Sequence, residues 1–230
     1  MVTKSLLETT YNTRDLGGHK TSDGKVTLCD RIYRSDRQEN PSPRDIELLL
    51  TKGITTVIDL RTDWEIKDKP SGFATLEGFN YHSYSVLEGS GIPDTVEAVP
   101  GSYIDIACEK NMRFVFETIA NAGSGVMYNC AAGKDRTGVV TAVLLMRCGV
   151  PDGEIIADYM VTKECNKERF ELIHQRWPEL NMDIVIPRES FMGDFLKLFK
   201  AKFGSAEGYF ESIGVSKENV ERIKDKLLNE

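Results

Sequence analysis

At 230 residues with a formal net charge of −7, the chain has the length of one generous domain. Its charge excludes bulk attraction to nucleic acid or an anionic membrane but leaves room for a local basic pocket. The 40% hydrophobic and 28% charged content is that of a packed soluble protein. The N-terminal stretch "MVTKSLLETTYNTRDLGG" holds no apolar core suited to a signal peptide, and no run approaches the roughly 18 apolar residues of a membrane span. Five cysteines without a CxxC pair argue against a zinc site or a disulfide framework. A reducing cytoplasm, with neither metal nor cofactor, is therefore the expected setting.

The first element in chain order is a hairpin. Asp23-Gly24 is a turn signal ahead of two β-prone runs at 26–28 and 32–33. "PSPRDIELLLTKG" predicts a helix with Ser42 as cap, Pro43 at its first position, Asp45 completing a capping box and Gly53 ending it. The β-branched run "ITTVIDL" predicts a buried strand, and 79–86 a further one. A Gly/Pro-rich stretch, 87–102, then opens a span to 122 whose later part is helical, read as a helical lid insertion.

The strand "GVMYNC" and a helix over about 137–147 follow, and beyond Pro151 the chain is helical throughout. Three apolar stripes in that region read as packing faces: Phe170, Ile173 and Trp177; Phe191, Phe195, Leu198 and Phe199; and Val220, Ile223 and Leu227. Alternating strands and helices predict an α/β fold: a central, mostly parallel sheet flanked by helices, with a helical C-terminal part over about 151–230, in one domain spanning 1–230.

The chemistry concentrates in "NCAAGKDRTG", between the apolar strand and the apolar helix. A strand, a short loop and a helix N-terminus make an anion site, because backbone N–H groups converge there and the helix dipole adds about half a positive charge. Gly133 permits a tight turn. Arg136, separated from Cys130 by five residues, carries a planar fork that matches two phosphate oxygens, and Lys134 adds a less directional charge. In that field the Cys130 thiol is expected to ionise well below the free value of about 8.5, with the Thr137 hydroxyl able to donate to its sulfur. A Walker A loop is excluded twice, by Tyr128 where glycine is required and by Asp135 where Ser or Thr is required.

The run from Cys130 to Thr137 matches the Cys-x5-Arg-Ser/Thr signature and resembles the loop of the protein tyrosine phosphatase superfamily. Its Gly-Lys-Asp-Arg-Thr-Gly form is similar to that of atypical bacterial tyrosine phosphatases, related in their loop to phosphoinositide phosphatases. "NTRDLGG" at 12–18, "IYRSD" at 32–36, "VIDLRTDWE" at 57–65 and the C-terminal "FGSAEGYFESIGVSKENVERIKDKLL" resemble that group's motifs in the same order. One departure is Asn129, where the group carries a loop-ordering histidine.

The resemblance implies a tyrosine-phosphatase-like fold and metal-free hydrolysis of phosphomonoesters through a phosphocysteine. Cys130 is then the nucleophile, Arg136 the phosphate-gripping cation, and Ala131, Ala132, Gly133, Lys134 and Thr137 the rest of the cradle. The leaving oxygen needs a proton, and three carboxylates compete to give it: Asp135 in the loop, Asp59 at a strand end, and Asp94. Arg14, Asp15 and Arg34 are expected near the pocket, as structural ion pairs or as substrate contacts. The expected partner is a phosphorylated protein or a phosphoinositide, with inorganic phosphate held in the loop. Two other readings stand beside this one. A non-catalytic phosphate-reading module would typically lack the cysteine or the arginine. Arsenate reduction or sulfur transfer would want a resolving cysteine.

Overall fold

The computed structural model describes residues 5–87 and 93–229. Five strands form one sheet in the order β1-β2-β5-β3-β4: β1 (Arg14–Asp15), β2 (Ile32–Ser35), β3 (Ile54–Asp59), β4 (Asn80–Ser83) and β5 (Gly125–Asn129). Only β1 is antiparallel to its neighbour; the other pairings are parallel. The register sets Ser35 of β2 and Asp59 of β3 on either side of Asn129 of β5. Three strands thus end together, and Cys130 is the next residue. The crevice outside the carboxyl ends of parallel strands is where such sheets bind ligands.

Strand alternation divides the core between the two faces of the sheet. Val126, Tyr128 and Ile58 point into the larger cluster and Met127 and Val57 into the smaller. The smaller cluster lies under α1 (Pro43–Thr51), whose Leu49 joins Tyr33 and Phe73. Helix α1 is punctuated as the sequence predicts, with the Ser42–Asp45 capping box and Pro43 in its first turn. The larger cluster surrounds α5 (Asp135–Arg147), which is buried almost all round and contributes Val139, Val140, Val143, Leu144 and Leu145.

Helix α2 (Asp63–Asp68) follows β3. Helices α3 (Val99–Ala107) and α4 (Met112–Asn121) fall within the span expected as a lid, of which 88–92 lies outside the described residues. Both bury full apolar faces in the main core: Val99, Tyr103 and Ile106 from α3, and Val115, Phe116 and Ile119 from α4. They belong to the body of the fold.

The C-terminal part is helical as expected: α6 (Asp152–Cys165), α7 (Lys167–Arg176), α8 (Met182–Val185), α9 (Glu189–Phe203), α10 (Ala206–Ser212) and α11 (Lys217–Leu228). The stripes on α9 and α11 pack into the core, apart from the exposed Leu198. The stripe over α7 does not. Phe170 is buried, whereas Ile173 and Trp177 face a cavity and Trp177 stays 44% exposed.

The expected hairpin is also smaller. Its turn forms at Asp23-Gly24, with Gly24 at φ +85°, but Val26 pairs back to Lys20. The run 32–35 pairs instead with β1 and β5, because its four buried side chains need the centre of the sheet.

Candidate active site

The 130–134 loop joins β5 to α5, and the carbonyl oxygens of Ala131, Ala132 and Gly133 are drawn outward. Asn12 Nδ2 donates to the Ala132 oxygen at 3.1 Å and to the Gly133 oxygen at 3.0 Å. Arg34 Nη2 donates to the Gly133 oxygen at 2.8 Å, Asn166 Nδ2 to the Ala132 oxygen at 2.8 Å, and Arg169 Nη1 to the Ala131 oxygen at 2.9 Å. In a trans peptide the N–H lies opposite the C=O, so four side chains pulling carbonyls out turn the amides inward. Gly133 has φ +64°, and a Cβ there would sit 2.8 Å from the Ser35 oxygen and 2.9 Å from Asn12 Nδ2. Only glycine closes this turn without moving the scaffold. Helix α5 begins at the loop without a side-chain cap, so its first N–H groups add to an anion site.

The scaffold beneath the loop carries its own charge balance. Arg14 and Arg34 converge on buried Asp158 of α6. Burial opposes ionisation of that carboxyl, but the two guanidiniums overcome it and hold its pKa well below the ordinary range. Arg14 also donates to the Asn12 Oδ1, the amide that grips the loop. Both arginines are therefore scaffold ion pairs, and Asp15 serves local backbone, accepting from Gly17 N and Asp30 N. Arg169 of α7 pairs with Asp36 at 3.4 Å and stacks over the Tyr11 ring.

Cys130 is buried at the base of the loop. Arg136, the second residue of α5, forms a two-point pair with Glu65 of α2: Nη1 to Oε2 at 2.6 Å and Nη2 to Oε1 at 2.9 Å. Its Nη1 also donates to the Val86 oxygen at 3.3 Å. Burial pushes the Glu65 carboxyl up, yet the Arg136 hydrogen bonds and charge, with help from Thr62, outweigh it and hold its pKa to about 2. Glu65 thus orients the arginine fork.

Two loop expectations need correction. Lys134 does not point freely at a ligand: its Nζ donates to the Val185 oxygen at 2.6 Å and the Ile184 oxygen at 3.3 Å, at the carboxyl end of α8, where helix carbonyls attract a cation. The Thr137 hydroxyl does not reach the Cys130 sulfur; it is fully buried with no hydrogen-bond partner.

The three candidate acids have separate surroundings. Asp59 is wholly buried, and its oxygens accept from Arg61, Tyr81 and Asn129. It is a structural acceptor sealed from the cavity. Asn129 donates its side-chain amide to this contact, tying the ends of β5 and β3. Asp135 and the exposed Asp94 line one cavity of about 720 Å³ beside the loop. Asp135 Oδ1 accepts from the Tyr103 hydroxyl at 2.6 Å and lies 3.2 Å from Lys134 Nζ. Of the three, Asp135 combines a place in the loop with a face on the cavity.

Glu65, Asn12, Asn166, Arg169 and Tyr103 were not singled out from sequence. The Thr62–Glu65 capping box is a local signal for a helix start only. Among the described residues no group of three or more His, Cys, Asp or Glu is placed to hold a metal ion, and no helix is long and apolar enough to cross a membrane.

Comparison with known proteins agrees with this geometry. Residues 6–229 match the family model described as "Tyrosine phosphatase family". A Cupriavidus necator protein provisionally named a tyrosine-protein phosphatase is 28% identical over 222 residues, covering 88% of this chain and 81% of its own. A Nostoc commune tyrosine-protein phosphatase is 28% identical over 80% of this chain and 69% of its own. The "triple specificity protein phosphatase PtpB" of Mycobacterium tuberculosis is 30% identical over 48% of this chain and 46% of its own. Among solved structures, Pseudomonas aeruginosa TpbA matches at a TM-score of 0.35 with 12% identity, over 75% of this chain and 90% of that one, too distant to carry an argument. With all but its extreme ends matched by the family model, the chain is a phosphatase and belongs to the tyrosine phosphatase family.

Proposed function

We propose that the protein hydrolyses phosphomonoesters, phosphotyrosine first among them, through a phosphocysteine on Cys130. What carries this reading is the loop itself: carbonyls pulled outward, an uncapped helix N-terminus, a cysteine at the base and an arginine held in plane by Glu65. A phosphate dianion in the cradle of Ala131, Ala132, Gly133 and the first turn of α5 meets converging N–H groups, with Arg136 over two of its oxygens. The Cys130 sulfur, as thiolate, attacks phosphorus. The S–P bond forms as the P–O bond breaks, and Asp135 gives its proton to the leaving oxygen. Asp135 then takes a proton from water, which attacks phosphorus and releases Cys130 and inorganic phosphate.

In this mechanism Lys134 acts from its tether on α8 as a fixed positive charge and a neighbour of Asp135. A Mycobacterium tuberculosis relative is named for triple specificity, which supports a range wider than phosphotyrosine; phosphoserine, phosphothreonine and phosphoinositides are the further candidates. The deciding experiment is rapid acid quench with a phosphotyrosine peptide carrying labelled phosphate. Label on Cys130 is the expected result. Steady turnover without label on any cysteine overturns the mechanism, and phosphate binding without turnover makes the protein a phosphate-reading module.

A further inference from the structure

The cavity of about 720 Å³ that meets the loop at Lys134 and Asp135 is larger than a phosphate and one side chain require; volumes of this order hold a whole drug-sized molecule. Much of its wall is apolar: Val99 and Ile106 from α3, and Trp177, Leu180 and Ile184 from the end of α7 to α8. The Trp177 indole on the cavity wall stays half exposed, and large apolar surface left facing a site marks ligand contact.

The charges around the cavity narrow what can enter. Among its described lining residues, Asp94, Asp135 and Glu179 are acidic and Lys134 is basic. The Lys134 ammonium is already bound to the α8 carbonyls and to Asp135. Arg176 stacks on Trp177 at 4.7 Å and is not part of the lining. A polyanion here meets three carboxylates against one spent cation, whereas an uncharged apolar body meets hydrophobic wall.

Resting on the phosphatase reading, we infer that this cavity is a specificity subsite for an uncharged, apolar portion of the substrate. It favours a monophosphate whose ester body is aromatic, flanked by apolar peptide side chains, over a polyphosphorylated inositol headgroup.

The test compares kcat/KM for phenyl phosphate, biphenyl phosphate and a soluble inositol polyphosphate, in wild type, Trp177→Ala and Glu179→Lys. Filling apolar pocket space is worth at least about tenfold in discrimination, so wild type is expected to favour biphenyl over phenyl phosphate by about that factor. It should turn over the inositol ester least. Trp177→Ala should erase most of the biphenyl advantage while phenyl phosphate stays within about twofold, and Glu179→Lys should improve the inositol ester alone. Equal rates on phenyl and biphenyl phosphate in wild type overturn the inference, as does inositol polyphosphate matching the biphenyl ester. An unchanged biphenyl preference in Trp177→Ala overturns it too. Failure to hydrolyse phenyl phosphate at all instead sinks the phosphatase mechanism, so the two ideas fail separately.

Discussion

The Tyr103 hydroxyl donates to Asp135 Oδ1 at 2.6 Å while lying 2.7 Å from the Tyr159 hydroxyl. Burial first, and then the Asp135 charge, hold the Tyr103 phenol far above its ordinary pKa, so it remains a neutral donor. The ring is locked edge-on against Tyr159 and Phe195. One Asp135 oxygen is therefore pinned by a rigid partner. Tyr103→Phe keeps the packing and removes the hydrogen bonds to Asp135 and Tyr159. We expect it to slow a phosphotyrosine peptide about fivefold to tenfold and leave nitrophenyl phosphate within twofold, since nitrophenolate departs without a proton. Asp135→Asn should show the same pattern at about a hundredfold or more. If Asp135→Asn slows both substrates alike, Asp135 only shapes the loop. If it shows the pattern and Tyr103→Phe does not, the tyrosine plays no positioning part.

Cys130→Ser should abolish turnover while vanadate binding, followed by calorimetry, stays within about tenfold, because the cradle is intact and only the nucleophile is lost. Arg136→Lys should weaken both, since an ammonium cannot reproduce the two-point grip on Glu65 or on phosphate. Turnover by Cys130→Ser within tenfold of wild type would remove Cys130 from the chemistry.

The Arg136–Glu65 pair makes stability depend on pH in a definite direction. Glu65 falls from an ordinary 4.5 to about 2 in the folded chain, so its contribution is fully present above pH 4.5 and is lost as pH falls through about 2. The shift corresponds to about 3 kcal/mol. Denaturant melts of Glu65→Gln and wild type should differ by up to that amount at pH 6 and converge near pH 2. A gap that stays constant across this range would mean that the pair contributes nothing through ionisation. KM for phosphate esters should also rise, because the arginine fork loses its guide.

Gly133→Ala is expected to be far costlier than an ordinary loop substitution. The left-handed backbone costs a side chain about 1–2 kcal/mol, and the new methyl carbon meets the Ser35 carbonyl at 2.8 Å. Vanadate affinity should fall at least tenfold with a lower melting temperature. Wild-type affinity would show that the loop tolerates opening at this point.

Local signals made much of the molecule readable. The Ser42–Asp45 box, the β-branched run of β3 and the single apolar strand before Cys130 act over a few residues, and each formed as the sequence predicts. The loop between β5 and α5 could be located because a cysteine, a glycine and an arginine at fixed spacing need no tertiary information. The support around it was hidden for the opposite reason. Glu65 meets Arg136 across 71 positions, and Asn12 reaches Gly133 across 121, so no periodicity marks either. Trp177 misled because an apolar stripe at helical spacing looks the same whether it covers a core or a cavity.

The four outward pulls on the loop come from positions 12, 34, 166 and 169, so segments far apart in the sequence converge on one loop. The signature is therefore not a transplantable module. A fragment holding β5, the loop and α5 would keep Cys130, Gly133 and Arg136 yet lose every side chain that turns the amides inward, together with Glu65 that aims the arginine. Conversely, an oxyanion in the cradle should slow amide exchange at the N-terminal segment and at the α6–α7 junction together, making distant stretches of sequence report one binding event.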